Sequence, residues 1–103
     1  MVQSITDANF LEETKDGVVL IDFWASWCGP CRMLAPVLEQ LDEEIGDKVK
    51  ITKMDVDQNQ ITPAEFGVMS IPTILVKKDG KVVEKLVGYQ PKEKLDENLE
   101  QYI

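Results

Sequence analysis

Two cysteines, Cys28 and Cys31, stand three positions apart in the stretch SWCGPCRM, and no other cysteine occurs among the 103 residues. Side chains at i and i+3 near a helix start lie about 5–6 Å apart, which suits a disulfide. A bridge of that span closes a very small loop and constrains the unfolded chain little, so stabilisation does not explain it. Reactivity does. Cys28 falls at or just before the first turn of a helix, where free backbone N–H groups and the positive end of the dipole favour a thiolate. Cys31 falls within the turn and should be the more shielded. Gly29 allows another chain to approach closely, and Pro30 fixes the backbone that sets the sulfur-to-sulfur geometry. A thiolate of this kind attacks a disulfide and forms a mixed disulfide, which a neighbouring thiol then resolves.

Other uses of a C-x-x-C pair fit poorly. Structural zinc takes four ligands, and the chain offers two cysteines and no histidine. An iron–sulfur cluster lacks cysteines for the same reason. The absence of histidine also excludes a Cys–His hydrolase within one chain. Nineteen acids against eleven bases give a net charge of −8, which argues against nucleic acid and against an anionic membrane surface. No apolar run reaches the length of a membrane helix, and the opening MVQSITDANF lacks the pattern of a signal peptide. A cytoplasmic protein of one domain, residues 1–103, is expected, and a monomer, since no apolar stripe remains unassigned.

The elements that must position the pair follow from pattern. Met1–Ile5 reads as a short strand, and Thr6 and Asp7 as cap-type residues before a helix in ANFLEETK. VVLIDFWA, residues 18–25, is apolar except at Asp22, as in a central strand covered on both faces. Residues 29–46 form an amphipathic helix with Met33, Val37, Leu41 and Ile45 at i+4 spacing, Leu34 and Leu38 alongside, and Pro36 as a kink. VKITKMDV is a second central strand and QITPAEFG a short helix. Thr73–Lys77 and Lys81–Val87 flank a KDG hairpin signal, and PKEKLDENLEQYI is a last helix. The order β-α-β-α-β-α-β-β-α predicts an α/β fold with parallel pairing joined by crossovers, a terminal antiparallel hairpin, and so a mixed five-stranded sheet with four helices on its two faces. Asp22 interrupts an apolar strand. A structural carboxylate satisfied by the backbone or by Lys53 fits that position as well as a functional one does.

Over essentially its whole length the sequence resembles the thioredoxin family. DFWASWCGPCRMLAPVLEQL is similar to that family's active-site strand, redox motif and helix, MDVDQN to its third-strand segment, MSIPTILV to its substrate-facing loop, and KDGKVVEKLVGY to its terminal hairpin. The resemblance implies the thioredoxin fold. It implies that Cys28 attacks and Cys31 resolves, that Asp22 is a buried proton acceptor for Cys31 acting through water with Lys53 beside it, and that Pro72 is a cis proline facing the disulfide. A cis bond there would leave the N–H and C=O of Ile71 free for an extended substrate. Trp27, Gly29, Pro30, Ile71, Pro72, Val87 and Gly88 would form a flat apolar docking patch. Ser70, Gln60, Ile61 and Pro63 depart from the common family pattern beside that surface. The implied activity is reduction of protein disulfides with no bound cofactor, the dithiol being restored by thioredoxin reductase, a flavoprotein that draws on NADPH. An isomerase or oxidase with the same motif, and a scaffold with an idle pair, are the other classes. Gly-Pro between the cysteines is the reducing type within the superfamily.

Overall fold

A computed structural model describes residues 1–103. The elements are β1 (Gln3–Ser4), α1 (Phe10–Glu13), β2 (Val18–Trp24), α2 (Gly29–Ile45), β3 (Val49–Asp55), α3 (Ile61–Glu65), β4 (Thr73–Lys78), β5 (Lys81–Val87) and α4 (Lys92–Glu100). They appear in the expected order. The outer pieces are shorter than their sequence patterns indicate: β1 keeps two residues, and α1 is a single turn closed by Thr14, whose hydroxyl donates to the Phe10 carbonyl at 2.7 Å.

The sheet order is β1-β3-β2-β4-β5, with β2 at the centre. Successive β2 residues serve opposite faces, because side chains alternate along a strand. Val18 and Leu20 join Leu34, Leu38 and Leu41 of α2 and Leu95 and Leu99 of α4. Val19, Ile21 and Phe23 join Phe10 of α1, with Phe66 after α3 packed alongside. No helix is long and apolar enough to cross a membrane.

Only part of the sheet is parallel. β1–β3 and β3–β2 are parallel, but β4 runs antiparallel to β2. Helix length explains the difference. The 17 residues of α2 span about 25 Å at 1.5 Å each, enough to return the chain from the end of β2 to the start of β3. The five residues of α3 span only about 7.5 Å. The chain therefore re-enters the sheet at the edge where β2 and β3 end, and β4 must run backwards.

The buried stripe of α2 is Cys31, Leu34, Leu38 and Leu41. Met33, placed by its i+4 spacing on that stripe, is 62% exposed. A helix turns about 100° per residue, so a face that includes Leu34 excludes Met33. Asp7 departs more clearly from its pattern. It does not cap the helix that follows it. Its carboxylate accepts from the N–H groups of Ile61 (3.2 Å) and Thr62 (2.8 Å) and from the Thr62 hydroxyl (2.7 Å), so it caps α3 from across the molecule. The KDG hairpin behaves as its residues demand, with Asp79 and Gly80 both at positive φ (49° and 87°).

Lys77 is the anomaly of β4. It pairs with Val19 across the ladder and is 4% exposed. Its ammonium donates to the Thr14 hydroxyl at 2.8 Å and lies 4.7 Å from the Phe10 ring centroid, with no carboxylate paired to it.

Two predictions follow from these contacts. Desolvation raises the Asp7 pKa, but the bonds from Thr62 and Ile61 together outweigh it and hold the group below its usual value. Its contribution is therefore present above the unfolded carboxylate pKa and lost as pH falls through the folded one. Asp7→Ala should cost about 1–2 kcal/mol in urea denaturation at neutral pH, and the two proteins should converge in acid. Burial lowers the Lys77 pKa, so folding penalises its charged form until pH approaches the unfolded lysine value. Lys77→Met should stabilise the protein by about 1 kcal/mol at neutral pH, with the gain shrinking as pH rises toward ~10. A gain independent of pH would show that packing, not charge, is responsible.

Candidate active site

The cysteine pair sits where β2 hands over to α2. Cys28 is the N-cap of α2, with extended backbone (φ −88°, ψ 113°), and its Sγ accepts the N–H of Cys31 at 3.2 Å. Sulfur here takes the place of a capping oxygen at a helix start, where backbone donors lack intrahelical partners. Pro30 lies in the first turn, where its missing N–H costs nothing, and that turn carries no acidic side chain. Donor N–H groups, the helix dipole and a first turn without an acid all favour a thiolate at Cys28. Cys28 and Cys31 are joined as a disulfide with their Cα atoms 5.2 Å apart.

Burial does not separate the two sulfurs in the way the sequence indicates. Cys28 is 5% exposed and Cys31 3%, and both pack with Ala25, Trp24, Val56 and Ile71. Their surroundings differ instead. Cys28 Sγ lies 3.8 Å from the Ile71 carbonyl oxygen, on the outer side. Cys31 lines an inner cleft that contains Asp22.

Asp22 follows Val18 and Leu20 on the α2 side of β2, beneath the pair. It is 3% exposed, and its Oδ1 has no hydrogen-bond partner in the protein. Desolvation raises its pKa to about 7, against the opposing field of Lys53. Lys53 is its neighbour in register on β3, but the two make no ion pair, and the Lys53 ammonium lies 5.4 Å from the centroid of the Trp24 ring. The cleft measures about 90 Å³ and is also lined by Val2, Arg32, Ala35, Leu38 and Glu39.

The Ile71–Pro72 peptide is cis and lies opposite the cysteines. No backbone bond engages the Ile71 N–H. Gly88 donates its N–H to the Pro72 carbonyl at 2.8 Å and adopts φ +90°, a conformation that favours glycine. Val87 faces Thr73 across the ladder and is exposed, as is Pro30, while Gly29 is half-buried. Pro72 itself is buried, so it shapes the patch from beneath and offers it little surface.

Trp27 is 65% exposed and its indole N–H donates to Asp57 at 2.8 Å. With Ile71 it bounds a groove of about 410 Å³ completed by Val56, Pro63, Val68, Met69 and Ser70. Sequence reasoning missed Asp57, Val56 and Val68, and on the other side of the disulfide Val2 and Glu39. Nothing local marks them, since each comes from a segment that meets the site only in three dimensions. Pro63 and Ser70, which depart from the common family pattern, lie in the groove wall, and Ile61 beside them is exposed. No group of three or more metal-ligating side chains converges on a point in the protein.

A helix-capping cysteine bridged to the third residue of its helix, facing a cis proline across the edge of a mixed sheet, defines a thiol–disulfide oxidoreductase whose redox carrier is its own cysteine pair. The chain belongs to the thioredoxin family: a family model described as Thioredoxin matches residues 1–101. It is 64% identical to a thioredoxin of Listeria monocytogenes over 103 residues, covering 100% of both chains. It is 62% identical to a thioredoxin of Bacillus subtilis over 98 residues, covering 95% of this chain and 94% of that one. It is 52% identical to one of Staphylococcus aureus over 102 residues, covering 99% and 98%.

The Asp22 carboxyl sets a pH-dependent stability with a defined sign. Its folded pKa of about 7 lies above the ordinary aspartate value of 3.8, so folding is penalised as pH rises from about 4 through about 7. Asp22→Asn should match wild type near pH ~4 and exceed it above pH ~7 by on the order of 4 kcal/mol, each pKa unit being worth about 1.4. Denaturation curves that stay parallel across this range would show that Asp22 ionises normally.

Proposed function

We propose that the protein reduces disulfides in other proteins, with Cys28 as the attacking sulfur and Cys31 as the resolving one, and that thioredoxin reductase restores the dithiol with electrons from NADPH. The observation that carries this reading is the capping position of Cys28 at the start of α2, opposite the unpaired N–H of Ile71.

The Cys28 thiolate attacks one sulfur of a substrate disulfide. A mixed disulfide forms and the first substrate thiolate leaves. The extended substrate segment pairs with the N–H and C=O of Ile71, in the manner of an added strand. Trp27, Gly29, Pro30, Val87 and Gly88 provide apolar contact with little demand on sequence, and Pro72 holds the loop in place. Cys31 then gives its proton to Asp22 through water and attacks Cys28 Sγ. The second substrate thiolate leaves, and the Cys28–Cys31 bond closes. Two electrons have passed to the substrate. With its pKa near about 7, Asp22 is suited to accept and release a proton at neutral pH. Lys53 tempers the rise that burial imposes on it. The protein acts as a single domain, residues 1–103, and as a cytoplasmic monomer, for which sedimentation at one-chain mass is the test.

Reduction of insulin tests the activity. Wild type should accelerate insulin precipitation with dithiothreitol, and with NADPH and a thioredoxin reductase, whereas a Cys28→Ser, Cys31→Ser double variant should do neither. Precipitation unaffected by the loss of both sulfurs would leave only a scaffold role. A protein active in reshuffling scrambled disulfides but inert with the reductase would be an isomerase. In a second experiment, Cys31→Ser should accumulate a covalent substrate adduct through Cys28, visible on non-reducing gels, and Cys28→Ser should accumulate little. The opposite pattern would reverse the two roles.

A further inference from the structure

The cleft beneath the disulfide reaches the surface. Asp22, Trp24, Cys31 and Leu38 form its floor and walls, while Arg32, Ala35 and Glu39 follow one another along α2 at spacings of three and four and form its exposed rim. Two buried polar atoms on the floor have no protein partner: Asp22 Oδ1, an acceptor, and Trp24 Nε1, a donor. A volume of about 90 Å³ has room for about three waters at liquid density. The cleft is therefore a passage from a buried carboxylate to solvent, with mostly apolar walls and polar groups at its floor and rim.

A proton leaving by this passage needs a group at the outer end that can both accept and release it. Arg32 and Lys53 are cations that offer donors and no acceptor, and the Arg32 guanidinium is turned to the Ser26 carbonyl at 3.0 Å. Glu39 is the only acid on the wall besides Asp22. Its two carboxylate oxygens accept the Val2 N–H at 3.3 and 3.4 Å, and the buried Val2 side chain forms part of the same wall. Ala35, one turn earlier, is too short to block the mouth.

We infer that Glu39 is the outlet of the cleft: held by Val2, its carboxylate passes to solvent the proton that Asp22 must lose to stand ionised when Cys31 attacks. The inference rests on the reading of Asp22 as the proton acceptor. In each turnover the Cys31 thiol loses one proton to Asp22 as its sulfur bonds to Cys28 Sγ, and the substrate sulfur departs with the electron pair of the broken bond. Asp22 can return that proton to Cys31 when the disulfide is reduced again, so the outlet serves to empty Asp22 before the resolving step. The charged and titratable groups around it are Lys53 from β3 and Cys31, Arg32 and Glu39 from α2. β4 places uncharged Ile74 opposite it, and Val2, the residue before β1, contributes its N–H. Glu39 touches neither substrate nor reacting sulfur, and is a positioning residue for the proton.

The test is single-turnover oxidation of the dithiol protein by a saturating disulfide peptide, followed by tryptophan fluorescence from about pH 5 to about pH 9. Glu43→Gln makes the same charge change one turn further along α2, outside the cleft. Glu39→Gln should slow the resolving step about fivefold at neutral pH, a fraction of what a direct acid–base group supplies, and should leave the thermal midpoint unchanged. Glu39→Asp should retain the wild-type profile, and imidazole buffer, small enough to exchange protons at the mouth, should restore Glu39→Gln. A Glu39→Gln profile that coincides with Glu43→Gln, or a slowing that imidazole does not relieve, overturns the outlet. An Asp22→Asn profile equal to wild type removes the acceptor reading and the outlet together. A slowed Asp22→Asn beside an unaffected Glu39→Gln discards the outlet alone.

Discussion

The bond from the Cys31 N–H to Cys28 Sγ ties the chemistry to the fold. It makes the reactive sulfur part of a helix start, so Cys28 cannot move without disturbing the first turn of α2. The helix in turn is fixed by Leu34, Leu38 and Leu41 against the central strand. A side chain locked by packing and by backbone donors keeps its geometry through repeated opening and closing of the disulfide, since neither state requires α2 to unwind. The other parts of the site assemble around that fixed point because β2, β3 and β4 all begin or end at the same edge of the sheet.

Two environments meet at the disulfide. The outer one is apolar and accessible, with Trp27, Ile71 and the groove beside them, and the N-terminus of α2 favours negative charge on Cys28. The inner one is a narrow, mostly apolar cleft where Asp22 lacks solvation and makes no ion pair with Lys53. The sulfurs are almost equally buried, so their division of labour rests on what each one faces. Cys28 faces the Ile71 carbonyl, and Cys31 faces the cleft that holds Asp22. The burial that raises the Asp22 pKa weakens the fold at neutral pH, a cost often found at functional sites.

Much of this is written in local pattern. The C-x-x-C pair at a helix start, the apolar run broken by Asp22, and the KDG turn each depend on a few adjacent residues, and each appears in the structure where its chemistry places it. Element order and the five-stranded mixed sheet are legible for the same reason: periodicity and turn residues are local properties. The cis bond at Pro72 is legible only through resemblance to a family, because an X–Pro bond is trans in most cases and nothing local reports the exception.

Contacts between distant segments are set by the fold alone. Asp7 reads as a cap for its own helix, yet it caps α3, because folding brings the Ile61 and Thr62 N–H groups to it. Lys77 closes the strand predicted over Thr73–Lys77, yet Phe10 and Thr14 cover it. Local pattern predicts a mixed sheet without saying which way β4 runs, and the structure sets it antiparallel to β2. Residue type and spacing are enough to say which sulfur chemistry is possible. The fold sets what each sulfur faces, the Ile71 loop for Cys28 and the buried Asp22 for Cys31, because burial and field depend on every segment that packs around a group.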